Sequence, residues 1–220
     1  TIGLLLSPTA TNAQLPPASM SSGEWFKFSV ETTGIYKIDH NFLEKLGINP
    51  SQIDPREIKI FGNKGGMLPQ SNAVDRPGLW ENAILVSGED DGVFDAGDFL
   101  IFYAEGSDKV GFDVQKGVFS YEQNLYSDLN FYFLALTEGP GRRIQTFPDV
   151  GAGYPLITTF NDCAYYENDN YNDQKSGREW FGEKFGVNTN EHTITFSIDG
   201  ISSTSPITVV SSVLGQSHSN

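Results

Sequence analysis

Apolar and polar residues alternate in short runs along most of the chain, and turn-forming residues bound each run. In "WFKFSV" the residues Phe26, Phe28 and Val30 fall on one face, and "GIYKI" follows after the turn "ETTG". A period of two predicts half-buried strands. The short turn predicts that this pair forms a hairpin bent at Gly34. "EIKIFG", "NAILVSG", "FLIFYAEG" and "NFYFLAL" predict further strands, and "HTITFSI" and "PITVVSSV" carry the pattern towards the C-terminus. In "HTITFSI" the apolar face is Ile194, Phe196 and Ile198. One segment, "DHNFLEKLGI", has a helical period instead. Asp39 or Asn41 can cap it, Phe42, Leu43 and Leu46 make its stripe, and Gly47 ends it. A helix this short, following a hairpin, suits a lid over an open sheet edge. The predicted architecture is all-β, a sandwich-like domain with one short helix.

The pattern changes near Thr158. "FNDCAYYENDNYNDQKSG" is a polar stretch rich in Asp, Asn and Tyr, and "REWFGEKF" and the last two β-patterned runs follow it. These shifts predict three parts: residues 1–22 as a signal-peptide remnant or linker, 23–158 as the N-terminal β-domain, and 159–220 as the start of a second, incomplete β-domain. In the first part, "TIGLLLSPTATNAQLPP" sets a short apolar run before Thr11 and Ala13, small residues suited to a cleavage point after Ala13. A strand end followed by a Ser/Thr/Pro linker reads equally well.

Composition narrows the function classes. Fourteen Lys and Arg stand against 28 Asp and Glu, a formal net charge of −14. A partner with a phosphate backbone needs a basic footprint, so nucleic acid is excluded. No run approaches the ~18 apolar residues of a membrane-spanning helix. A single cysteine, Cys163, leaves no intrachain disulfide to form.

The densest candidate chemistry is "GEDDGVFDAGD", Gly88 to Asp98, between the apolar runs "NAILV" and "FLIFY". With Gly92 at the sixth position of an EF-type calcium loop, Glu89 falls third, Asp91 fifth, Asp95 ninth and Asp98 twelfth. Phe94 takes the hydrophobic eighth place. A hard cation wants several oxygens, and glycine permits the sharp turn between them. Ser87 stands first instead of Asp, however, Asp98 is short for a bidentate grip, and strands rather than helices flank the loop. Two readings stay open: a structural calcium ion held by Glu89, Asp91, Asp95 and Asp98, or a solvated acidic hairpin tip. Either role is structural, because no nucleophile or acid–base pair converges there.

Other chemistry is sparse. A cysteine nucleophile needs a nearby histidine, and nothing in the spacing ties Cys163 to His40, His192 or His218. The expectation for Cys163 is a buried structural thiol. His and Cys do not cluster at zinc-ligand spacing. "FGNKGGMLP" lacks the Gly-Lys-Ser/Thr order of a phosphate loop and reads as a connection after a strand. "YYENDNYND", Tyr165 to Asp173, mixes aromatic rings with amides and carboxylates as sugar-binding surfaces do, and as polar connectors in β-domains also do.

Several segments, in order, resemble the N-terminal region of the type IX secretion system sortases, a branch of the gingipain-related cysteine peptidases. They are "GEWFKFSVETTGIYKIDHNFLEKLGIN", "IKIFGNKGGMLPQSN", "ENAILVSGEDDGVFDAGDFLIFYAEG", "YSDLNFYFLAL" and "SGREWFGEKF", spread over roughly residues 23–200. The first is shared with prosegments of other gingipain-like peptidases. "SGREWFGEKF" together with "GEDDGVFDAGDFLIFY" points to the sortases. The resemblance implies a parent that removes C-terminal sorting signals from secreted cargo and joins the cargo to lipopolysaccharide through a thioester-type intermediate. In that family the catalytic Cys and His lie in a downstream peptidase domain. No catalytic residue is carried over to this chain, and Cys163 does not correspond to one.

The expectation is therefore the non-catalytic N-terminal region of a cell-surface sortase-type cysteine peptidase. It is expected to be exported to the surface or outer membrane of a Gram-negative bacterium. Its expected partners are the downstream peptidase domain of the same chain and an outer-membrane protein of the secretion system. The alternatives are a free-standing secreted binding or adhesion module, and an inhibitory prodomain that is cleaved off.

Overall fold

The computed structural model describes residues 20–75, 78–146, 158–172, 175, 180–202, 204 and 206–215. The expected leader, up to residue 19, lies outside them, as do residues 176–179 of "SGREWFGEKF", residues 173 and 174, and His218. The strands are β1 (Glu24–Val30), β2 (Gly34–Asp39), β3 (Ile58–Gly62), β4 (Trp80–Asn82), β5 (Ile84–Ser87), β6 (Phe99–Ala104), β7 (Lys109–Asp113), β8 (Val118–Glu122) and β9 (Asn130–Leu136). The helix α1 spans His40–Lys45. Contacts divide the chain into two units, residues 1–110 with 122–149, and residues 111–121 with 150–220.

The first unit is an antiparallel β-sandwich. One sheet has the order β1-β9-β3-β4 and the other β2-β6-β5. Alternation explains the register. Phe26 lies opposite Leu134, and Leu134 opposite Ile60, so one face of the first sheet is continuously apolar. Across the second sheet, Ile38, Leu100 and Val86 are aligned, as are Tyr36, Phe102 and Ile84. The two faces meet through aromatic edges: Phe28 stands edge-on to Phe102 at 5.9 Å, and Phe102 meets Tyr132 at 5.6 Å. Ile58, Ile60, Ile84, Leu100 and Leu134 are fully buried there, each worth about 1.5–3 kcal/mol of transfer free energy. Tyr132 is also buried, and its hydroxyl accepts from Glu105 N at 2.8 Å and donates to Glu105 O at 3.2 Å. A side chain at Gly62 would run into the Tyr132 ring, so glycine is required at that end of β3.

The expected hairpin of β1 and β2 is corrected. β1 pairs with β9 and β2 with β6, so "ETTG" is a corner that carries the chain from one sheet to the other. Tyr36 Oη donates to Thr32 O at 2.7 Å, and Thr33 Oγ1 accepts from Gly106 N at 2.9 Å, which fixes the corner. The apolar faces of the two strands thereby oppose each other across the core. A hairpin would have put them side by side.

Helix α1 forms as expected. Asp39 caps it by accepting from Phe42 N at 3.0 Å, an interaction worth about 1 kcal/mol. Gly47, at φ 87°, lets the chain turn back so that Ile48 N bonds Leu43 O at 3.0 Å. Leu43 is fully buried, with Phe42 and Leu46 packed beside it.

The second unit differs. The hairpin β7-β8 turns at Gly117 and packs Phe112 on Phe119 at 4.8 Å. In residues 158–215 the described pairing consists of two isolated bridges, Tyr171 to Phe181 and Gly186 to Thr189. "HTITFSI" and "PITVVSSV", expected as strands, form none here, because no neighbouring segment among the described residues supplies a ladder.

Candidate functional site

The acidic loop joins β5 to β6. Gly88 and Gly92, both in the left-handed region at φ 90° and 82°, bracket a 3-10 turn over Glu89–Asp91. A side chain at Gly88 would strike the Asp98 carboxylate, and one at Gly92 would lie 2.6 Å from Arg56 Nη2. Phe94 leaves the loop for the core and is fully buried. The hydrophobic place in the calcium-loop pattern is thus an anchor.

Three of the four carboxylates expected as ligands hold hydrogen bonds of their own. Glu89 Oε2 accepts from Arg143 Nε at 2.8 Å. Asp91 Oδ1 accepts from Val93 N at 3.0 Å, and Asp98 Oδ2 accepts from Asp95 N at 2.8 Å. Asp95 contributes its carbonyl, which accepts from Asp98 N at 3.0 Å. Among the described residues no three His, Cys, Asp or Glu side chains gather at metal-binding separation.

Arg143 is the residue that sequence reasoning missed. Besides Glu89, its guanidinium donates to Pro55 O and Arg56 O, each at 3.0 Å, and to Ile58 O at 3.4 Å. Arg143 sits in a strap, residues 141–144, bound on both sides. Gly141 N bonds Arg56 O, Ile84 N bonds Arg142 O, Ile144 N bonds Ile84 O, and Arg142 N donates to the Glu81 carboxylate. The strap therefore joins β5, the acidic loop and the turn Pro55–Glu57. That turn has its own lock: Asp54 accepts from Arg56 Nε at 2.8 Å and Nη2 at 2.6 Å. The hydrogen bonds from the Arg56 side chain and then from its backbone hold the Asp54 carboxyl below its usual range. This arrangement is a structural clamp. It brings no nucleophile and base together.

Cys163 lies in the second unit and is only partly buried, which corrects the expectation of a core thiol. Burial, with a smaller contribution from Asp162, pushes its thiol up, away from the thiolate a nucleophile needs. The described histidines are engaged elsewhere. His40 Nδ1 is 3.8 Å from Glu44 Oε1, and His192 Nε2 is 3.0 Å from Lys184 O.

In "YYENDNYND", Tyr166 Oη donates to Glu183 Oε1 at 2.6 Å and accepts from Asn168 Nδ2 at 2.6 Å. Tyr165 stacks on Tyr121 with centroids 3.8 Å apart, and Lys184 Nζ lies 4.6 Å from the centre of Tyr171. A ring face on each of Tyr165 and Tyr171 is thus occupied from within the unit.

The fold and the clamp define an all-β sandwich region with a strapped acidic loop. No family model and no curated protein matches the chain. The crystal structure of dimeric latent PorU from Porphyromonas gingivalis matches with a TM-score of 0.52 and 26% sequence identity. The match covers 74% of this chain and 14% of that one. The chain is thus a PorU-related region at a distant structural level, and it spans about a seventh of the length of the protein it matches.

Proposed function

We propose that the chain is the non-catalytic N-terminal region of a sortase-type cysteine peptidase related to PorU. In this reading catalysis resides in a peptidase domain elsewhere in the polypeptide. The observation that carries it is the PorU match over 74% of this chain and 14% of that one. The Cys163 thiol, pushed up by burial, fits a chain without its own nucleophile. The parent then acts on secreted cargo at the cell surface, removing a C-terminal signal and attaching the cargo to lipopolysaccharide. The first unit is a folded scaffold. Residues 159–220 begin a second β-domain, and its exposed apolar runs, with Val209 82% and Phe196 49% accessible, become strands when other parts of the parent pair with them.

The test is the intact mass of the native product, immunoprecipitated through an epitope in residues 23–146. A product several times heavier than 24.2 kDa, with peptides from a domain bearing a reactive Cys and a His, is expected. A native product of this length alone overturns the reading and leaves a secreted binding module in its place.

A further inference from the structure

The first unit carries a groove at the end of the β1-β9-β3-β4 sheet where Trp25, Lys59 and Phe61 stand, with a volume of about 880 Å³. That lies within the ~300–1,000 Å³ range of ligand sites. Its floor is the pair Trp25 and Phe61, with centroids 4.9 Å apart and planes tilted by 38°. Trp25 is fixed by its indole N–H, which donates to Ser22 O at 2.8 Å. Five acidic residues, Glu24, Asp54, Glu57, Glu81 and Glu138, are among those that line it.

The lone lysine in the lining does not offset them as a free cation. Lys59 Nζ is held inside the lining by Thr137 Oγ1 at 2.8 Å and Glu138 O at 3.0 Å. Asp54 is paired with Arg56, and Glu81 accepts from Arg142 N. The carboxylates of Glu24 and Glu57, both exposed, accept no hydrogen bond and form no ion pair within 4 Å among the described residues, although Glu57 adds to the field at Arg56.

From this charge complementarity we infer that the groove docks an extended peptide segment in which lysine or arginine alternates with apolar residues. The negative ring face of a Trp attracts a cation, and carboxylates beside it strengthen the attraction as the site sheds water. Arginine and lysine stems also bring apolar length for the floor. An acidic segment meets repulsion from Glu24 and Glu57. A sugar finds no flat platform, because the two rings are tilted and Phe61 is only 9% accessible.

The test uses the full chain, 15N-labelled, titrated with three blocked hexapeptides in which leucine alternates with Lys/Arg, Gln or Glu. The readout is the Trp25 indole resonance, assigned through Trp25→Phe, with Trp180 as reference. The basic peptide is expected to move the Trp25 signal saturably, leaving that of Trp180 in place. The double reversal Glu24→Lys with Glu57→Lys is expected to weaken binding about tenfold or more, and Asp90→Lys with Asp169→Lys much less. The inference is overturned by a static Trp25 signal, by equal binding of the basic and Gln peptides, or by indifference to the Glu24/Glu57 reversal.

Discussion

Leu100 and Val209 both sit in alternating β-patterned runs, yet Leu100 is fully buried in a three-stranded sheet and Val209 is 82% exposed in a segment without a strand. The contrast extends to the units that contain them. The first has two sheets facing each other across a shared core. In the second, no described residue is buried. Alternation sets which residues share a face, and burial requires a second face to meet it. The first unit contains both faces; the described part of the second contains one pattern and no partner.

The sharpest way to break this comparison is to truncate one large side chain in each unit. Phe94→Ala opens a cavity under the acidic loop and is expected to cost about 3–5 kcal/mol. Phe196→Ala is expected to stay within about 0.5 kcal/mol. Denaturant unfolding followed by Trp25 and Trp80 fluorescence measures both. Equal losses would show that the second unit shares the cooperative core.

A smaller effect tests the clamp. Arg143→Ala removes the Glu89 partner and the donors to three carbonyls, and is expected to cost about 2–3 kcal/mol because those groups are partly buried. Glu89→Gln alone is expected to cost less, about 1 kcal/mol, and the double variant less than the sum of the two. Strict additivity in that cycle would remove the pair from the account. Gly88→Ala comes next. Its φ of 90° and the nearby Asp98 carboxylate together predict a loss of about 1–2 kcal/mol. Gly97→Ala, at a position where an added Cβ meets nothing, is the control. Similar melting temperatures for the two variants would mean that the loop tolerates rearrangement.

Much of the first unit was legible because its signals are local. Six strands and the helix follow from periodicity, the Asp39 cap and Gly47. What escaped depended on partners far along the chain. β1 and β2 have the turn and alternation of a hairpin, and only the presence of β9 and β6 assigns them to different sheets. Arg143 meets Glu89 across 54 positions, so the acidic stretch could be noticed from sequence but its cation could not. β4 has three residues, and in β7 the exposed Val110 and Phe112 flank Gly111, too little alternation to register. In the second unit the alternation was real, and the inference from it to strands assumed a neighbour.

The smallest effect concerns pH and separates the units again. Burial raises the Tyr132 phenol above its ordinary value near 10, against the opposing effect of its hydrogen bond with the Glu105 backbone. A raised folded-state value means that the folded chain keeps this proton after the unfolded chain has released it. The resulting stability is complete below the ordinary tyrosine range and is lost as pH rises through the folded value. Stability is therefore expected to fall at alkaline pH with a slope that Tyr132→Phe removes. That variant also loses the bonds to Glu105 and starts from a lower plateau. Tyr166 is raised as well, chiefly by its hydrogen bond to Glu183, but it is exposed in the second unit. Tyr166→Phe is thus expected to leave the slope unchanged. Denaturation midpoints across the alkaline range read both variants, and a slope that survives Tyr132→Phe would place the titrating group outside the core.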